Sequence, residues 1–466
     1  MRMRTIPAIL AVALLVPAFA AGDMSAQRNA DIPVPASVTL YEAVRYALAH
    51  SREGRVAERN VRTAEEGRTQ ATAGRLPSLD ADAGYRTYSE APGVLIQGME
   101  VQTMESSVVN ARVTARQTIF DFGKTGSRVS QADARIDAAT GKSEATKERI
   151  AFKVIAAFLD ARRADQLRQV VEESLAAARE HRKVAGDLYD LGVVARNDVL
   201  AADVRVAREE GILVTAENRV ALARSRLALR MGFSGEKAVI PEPGEFPVPE
   251  GEPPTLSESL RVAMEKRPEL KAQEAAVREG EAGVSAARAE FAPTLYGEGG
   301  YLYDSNSYNP NPNTFTLLLG GKINLFSGFS DEAAKRTALL GVGSRKDELA
   351  LLRDEIALSV KRAHLAVTEA EKKKAIAEVA VGQAEENLRI QNNRYREGLA
   401  ISTEVLDAQA LVTEAKVVSY NATFDLFESR YNLLVERGEL LEFLDPLLGA
   451  GKGQAIFSRE ETGKGR

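Results

Sequence analysis

The 466-residue sequence has no cysteine and no tryptophan, and its histidines number three. Without thiols there is no disulfide, no thiolate nucleophile and no Cys-based metal site, and no lipidation at a processed N-terminal cysteine is expected. His50, His181 and His364 stand singly in helical sequence, without His-x-x-His or Glu-x-x-His spacing. That pattern predicts surface or coil residues and not metal ligands. No Gly-rich phosphate loop follows a strand and no Gly-x-Ser-x-Gly occurs, so neither an enzyme nor a cofactor is expected. Charge of one sign is missing as well: Lys and Arg number 61 against 66 Asp and Glu, a net −5. The one dense basic run, Lys372-Lys373-Lys374, follows Glu371 and reads as a solvated helix face, so no nucleic-acid partner is expected. Beyond the first twenty residues nothing approaches the roughly 18 consecutive apolar residues of a membrane helix.

Those first residues, MRMRTIPAILAVALLVPAFA, combine basic Arg2 and Arg4, an apolar stretch from Ile6 to Val16, and the small-x-small site Ala18-Phe19-Ala20. They read as a secretory signal peptide, residues 1–20, cut after Ala20. A short N-terminal segment, 21–37, follows. The expected mature protein is exported, and it enters a bilayer, if at all, without a spanning helix.

Proline is absent between Pro92 and Pro241 and again between Pro312 and Pro446, where Ala, Leu, Glu, Arg and Lys dominate. Apolar residues recur there at three- and four-residue steps: Ile150, Val154, Phe158; Leu167, Val171, Leu175; Leu349, Leu352, Ile356, Val360. This predicts long coiled-coil-like helices, one from about Gly123 to Tyr189 measuring about 100 Å at 1.5 Å per residue. Between them PEPGEFPVPEGEPP, residues 241–254, is neither helix nor central strand and reads as a linker.

The chain repeats itself. Leu40-Tyr41-Glu42-Ala43 answers Leu256-Ser257-Glu258-Ser259, Leu76-Pro77-Ser78-Leu79 answers Ala292-Pro293-Thr294-Leu295, and Gly84-Tyr85 answers Gly300-Tyr301, at an offset of 216. The offset then drops to 206, where Ile119-Phe120-Asp121 matches Leu325-Phe326-Ser327, Tyr189-Asp190-Leu191-Gly192 matches Tyr395-Arg396-Glu397-Gly398, and Gly232 matches Gly438. A unit of a little over 200 residues is thus duplicated, spanning 38–232 and 256–438, with a Pro-rich linker at 233–255 and a tail at 439–466 expected to be partly disordered. Ten residues were gained or lost between the Pro and Phe motifs.

That variable part has a period of two. Phe315, Leu317, Leu319, Ile323 and Leu325 share one face, opposite Thr316, Lys322 and Asn324; Val109, Ala111, Val113 and Ala115 alternate with Asn110, Arg112, Thr114 and Arg116. Strands are expected at about 79–90 and 106–120, and at about 294–304 and 313–326. The pattern also fits a soluble sheet packed on a helix. Export, and tyrosines 85, 88, 301, 303 and 308 gathered at one end of the strands, favour an outer-membrane barrel with its aromatic girdle. Four strands cannot close a barrel, and unpaired edge groups in lipid cost several kcal/mol each. Strands must be pooled: two copies give eight, three give twelve, and spacing does not choose.

Duplicated halves with Leu-Pro-x-Leu before the first strand, Phe-Asp-Phe-Gly or Phe-Ser-Gly-Phe after the second, and Tyr-x-x-Gly-(x)5-Asp/Glu-Val-Leu at a helical turn resemble the TolC-type outer-membrane efflux family over nearly all of residues 38–440. The resemblance implies a mainly α chain with a small β part, assembled as a homotrimer. Its twelve-stranded barrel would sit in outer-membrane lipid and continue as a helical barrel across the periplasm, with the linker and tail as a belt at mid-height. It implies a passive exit duct working with a periplasmic adaptor and an inner-membrane pump of RND or ABC type, in efflux or type I secretion. A purely structural coiled-coil stalk anchored in the outer membrane is the rival.

Two turns stand out: LYDLGVVARNDVL at 188–200 and RYREGLAISTEVL at 394–406. Gly192 and Gly398 suit the left-handed position that ends a helix, and Asn197 or Asp198, and Ser402 or Thr403, are placed to cap the helix that returns. The resemblance makes these tips, near 192–198 and 398–404, the periplasmic entrance. Gly192, Val193, Val194, Gly398, Leu399 and Ala400 would dock the adaptor. The family's entrance acids fall on Glu404 and Asp407, while the first repeat keeps Asp198 with Ala201 at the second acid's place; Tyr395 joins this gate set. The basic residue often used to hold the entrance shut is Ala400 here. Arg196, in the first turn, is expected to take over that contact with Glu404 or Asp407.

Overall fold

The computed structural model describes residues 35–233, 238–242, 247–249 and 251–450. The expected signal peptide and the tail beyond 450 lie outside them. In chain order the elements are β1 (Ser37–Val38), α1 (Leu40–His50), α2 (Arg52–Ala73), β2 (Ser78–Thr87), β3 (Gly93–Ile96), β4 (Met99–Gln102), β5 (Ser107–Phe120), α3 (Lys124–Asp190), α4 (Arg196–Arg230), β6 (Ile240–Pro241), α5 (Leu256–Lys266), α6 (Pro268–Ala289), β7 (Thr294–Asp304), β8 (Asn313–Lys322), α7 (Ser330–Arg396), α8 (Ser402–Arg437) and α9 (Leu440–Ala450).

The two halves carry arms of matching length: α3 and α7 each run 67 residues, and α4 and α8 return for 35 and 36. Uninterrupted helix formers give each long arm a length of about 100 Å. Each arm starts from a strand through two consecutive left-handed residues, Phe122 (φ 52°) and Gly123 (φ 89°) in the first repeat and Gly328 (φ 64°) and Phe329 (φ 66°) in the second. Phe and Gly have exchanged places while the backbone kept its path. Since a non-glycine residue there costs about 1 kcal/mol, the tight strand-to-helix corner is itself what the repeat preserves.

The four long strands form one antiparallel sheet in the order β2-β5-β7-β8. The register places Leu79, Ala81, Ala83, Tyr85, Val109, Val113, Tyr301, Phe315, Leu317 and Leu319 on one face. Asp80, Asp82, Arg112, Arg116, Glu298 and Thr316 occupy the other. The apolar face is bare: Phe315, Leu317 and Leu319 are 80%, 86% and 76% exposed. Strand bounds match the expectation except that β8 stops at Lys322, so Ile323 and Leu325 lie past its end, and β2 stops at Thr87. Between β2 and β5 the first repeat carries a β3–β4 hairpin to which the sequence reading assigns no structure, closed through left-handed Gln97 and Gly98. Buried Asn306 ties its base to the β7–β8 connection, accepting from the Glu105 amide at 3.2 Å and donating to the Thr103 carbonyl at 3.2 Å.

Helix order copies strand order. α2 leads into β2, α3 leaves β5, α6 leads into β7 and α7 leaves β8; α3 packs on both α2 and α6, and α6 packs on α7. Toward the other end, α3 packs on α4 and α8, and α8 on α7. The core lies at mid-height, where Ile150, Val154, Ile155 and Phe158 of α3 meet Leu40 and Val44 of α1, Leu227 of α4, Tyr431 of α8, and Leu440 and Leu444 of α9. Two features add to the expectation. Residues 440–450 of the tail form a helix, whose Leu440 and Leu444 are completely buried. Within the linker, Ile240–Pro241 pairs in parallel with Ser37–Val38; further on it is held by Tyr431, whose hydroxyl donates to the Pro247 carbonyl, and by Arg430, which pairs with Glu371 and donates to the Pro249 carbonyl. Among the described residues no helix is long and apolar enough to cross a membrane.

Candidate functional site at the paired hairpin tips

Both long arms end the same way. Gly192 and Gly398 each have φ +73°, and beyond them Val193 N donates to Leu188 O (2.9 Å) and Leu399 N to Arg394 O (2.8 Å), while Gly192 N reaches Tyr189 O and Gly398 N reaches Tyr395 O. This doubled closure satisfies carbonyls that the helix end would leave orphaned, and glycine is the residue that takes its left-handed position freely. A Cβ on Gly398 would lie 3.9 Å from Val193 Cγ1, so the two tips adjoin. Their apolar residues face outward: Leu191 is 76% exposed, Val193 55%, Leu399 65% and Ile401 59%. Val194 and Ala400 are half-buried.

The returning helices start without the expected caps. Ala195 and Ile401 occupy the N-cap positions and neither provides a side-chain bond; Asp198 N and Glu404 N are instead satisfied by the Ala195 and Ile401 carbonyls at 3.0 and 3.1 Å. Ser402 cannot cap because its hydroxyl is engaged elsewhere, 2.8 Å from His181 Nε2 on α3. Asp198 and Glu404 lie in the first turns of α4 and α8, where the helix dipole favours a carboxylate. Asp407 is exposed one turn on. Arg196 is exposed and meets neither acid within the chain. Glu404 is met by Arg394 Nη1 at 3.5 Å, and Arg394 also donates to the Leu399 carbonyl, so the second tip carries its own basic clasp.

Tyr395 is 1% exposed, far from a lining residue within one chain. Its ring packs against that of His181, centroids 5.0 Å apart, and its hydroxyl makes no hydrogen bond of good geometry. Burial, with Asp198 adding, pushes its phenol pKa up; burial pulls His181 down from 6.5 while Asp198 opposes. His181 and Ser402 belong to a ladder of polar contacts between α3 and α8: Thr413 Oγ1 to Ser174 Oγ (3.1 Å), Gln409 Nε2 to the Ala177 carbonyl (3.4 Å), then His181 to Ser402 nearest the tip. By sequence His181 reads as a surface or coil residue and Ser402 as a helix cap; the structure buries both and joins them. The available signal was polar residues at heptad spacing, 174 and 181, 402 and 409, inside otherwise apolar seams. No group of three His, Asp or Glu able to hold a metal occurs among the described residues.

The sequence matches the family model described as outer membrane efflux protein over residues 43–232 and 260–433, the two repeats. Protein CyaE of Bordetella pertussis is 27% identical over 329 residues, 69% of this chain and 66% of CyaE, so the chain spans just under two thirds of that relative. Among solved structures, the outer-membrane channel OprN superposes with a TM-score of 0.74 at 19% identity, covering 86% of this chain and 89% of OprN. The outer membrane protein VceC of Vibrio cholerae gives 0.72 at 18%, covering 86% and 96%. At such identities the likeness is one of fold.

Proposed function

Because the chain belongs to the outer membrane efflux protein family, we propose that it is the passive exit duct of a tripartite efflux or type I secretion machine. Three copies close a twelve-stranded barrel in outer-membrane lipid and a helical tunnel beneath it. The observation that carries this is the sheet: its apolar face is bare, its polar face is charged, and its edges β2 and β8 are unpaired among the described residues. Such edges are untenable in lipid unless another copy pairs with them. The same edge of the bundle exposes Leu351, Leu358 and Leu365 at seven-residue steps along α7, 63%, 58% and 56% exposed, a seam suited to a neighbouring helix. The tips, with Val193 and Leu399 outward, would meet a periplasmic adaptor that links the duct to an inner-membrane pump of RND or ABC type. Three copies of Glu404 and Asp407 would ring the opening, and Arg196, which forms no ion pair among the described residues, is available to the acids of a neighbour. Catalysis plays no part in this reading.

The test is assembly and conductance. Detergent-extracted protein should have the mass of a trimer and form ion-conducting pores in planar bilayers, and deletion of residues 313–326 should abolish both. A stable monomer with its sheet intact, or a trimer that never conducts, would overturn the duct.

A further inference from the structure

We propose that His181 is a titratable latch between the two hairpins: neutral, it binds Ser402 and holds α8 on α3; protonated, it lets the tips part. His181 is 5% exposed and Ser402 completely buried, and their contact joins residues 221 apart in sequence. It is the contact of this uncharged ladder nearest the tip, beyond Gln409–Ala177 and Thr413–Ser174. The other two, built from hydroxyl, amide and carbonyl groups, do not titrate in the physiological range; this one carries an imidazole, whose ordinary pKa lies there.

The chemistry of the change is local. With its proton on Nδ1, neutral imidazole accepts the Ser402 hydroxyl proton at Nε2. Imidazolium donates from both nitrogens, so Ser402 must turn its proton away and a full charge must sit in a closed site. The groups facing the ring are few. From α4 comes Asp198, whose charge favours imidazolium and softens the change without cancelling the effect of burial. From α7 comes Tyr395, whose raised pKa keeps it neutral. From α8 comes Ser402, which carries no charge. The nearby ions are otherwise engaged: Arg182 with Asp203 across the first hairpin, Glu404 with Arg394 across the second tip.

The sign follows. In the joined state the histidine pKa lies below its ordinary 6.5, to which it returns when the hairpins part. Joining is therefore favoured in full above pH 6.5, and that preference is lost as pH falls through 6.5 toward the depressed value. Between pH 7.5 and 5.5 the joined-to-parted ratio can fall by at most about tenfold per chain. A latch three times repeated at the narrow end would make mild acid an opening signal; that consequence rests on the duct reading, whereas the latch is a property of the folded chain.

Two measurements separate the claims. As the chain has no cysteine, spin labels on Lys183→Cys and Thr403→Cys report the α3–α8 separation in the detergent-solubilised full chain. Lowering the pH from 7.5 to 5.5 should populate a longer distance, His181→Gln should remove the pH dependence, and Asp198→Asn should extend the change to lower pH. Single-channel conductance should show the same profile, flat in His181→Gln. If the Gln variant misassembles, Ser402→Ala, which keeps the histidine but loses the bond, should give the long distance already at pH 7.5. A separation with the same pH profile in wild type and His181→Gln, or unchanged in Ser402→Ala, overturns the latch. Absence of conductance with the distance change intact overturns the duct alone.

Discussion

At the scale of single residues, burial decides more than sequence spacing reveals. Glu148 on α3 is 8% exposed; burial raises its pKa to about 7, with Glu269 adding to the shift and Arg267 opposing it. Its folded value lies above the ordinary 4.5, so the folded state gains from its protonation and that gain is lost as pH rises from 4.5 through 7. Glu148→Gln should therefore be the more stable protein at pH 8, by up to about 3 kcal/mol, and show no advantage at pH 4.5. Denaturant titrations at both pH values check this, and equal curves at pH 8 would refute it. Asp407 is different: it is exposed and sits beyond the first turn, where the dipole explains little. If three copies ring the entrance, Asp407→Ala should weaken cation preference and block by multivalent cations in bilayers; unchanged selectivity and block would remove the ring. Glycines 192 and 398 were legible because a left-handed helix end has few chemical solutions. His181 was not, since the heptad spacing of Ser174 and His181 on α3 and of Ser402 and Gln409 on α8 marks polar seam positions but does not say which helix supplies the partner.

At the scale of elements, periodicity carried the reading. Proline-free stretches with three- and four-residue apolar steps gave α3 nearly to the residue and α7 as a long helix without bounds, and alternation gave β2, β5, β7 and β8. What failed did so for physical reasons. The β3–β4 hairpin, from Gly93 to Gln102, packs on no core, so its apolar residues show no buried face to alternate against; Gln97-Gly98 between apolar runs was the signal available. α9 was expected as tail because it is short, although Leu440 and Leu444 stand one turn apart. The caps were misplaced because Ser402 has two possible partners, and the one on α3 wins. The tips also yield a prediction. Nothing crowds Gly192, and Gly398 is met only by Val193 at 3.9 Å, so Val at either position suffers from backbone strain alone, about 1–2 kcal/mol. Trimers should still form and insert, while export fails because the tip changes shape. Wild-type transport by both variants would show that the tips are not the docking site.

At the scale of the whole molecule, the repeat becomes a statement about length. The two hairpins have outgoing arms of 67 residues and returning arms of 35 and 36. Both begin at the same sheet and end side by side. A seven-residue insertion into α3 and α4 alone would preserve every heptad yet carry one tip about 10 Å past the other, where no single surface could seat both. The same insertion in all four arms would simply lengthen both hairpins together. The paired hairpins thus work as a double-edged ruler: the gap the protein can bridge is free to drift over generations only in whole steps, taken by both halves together.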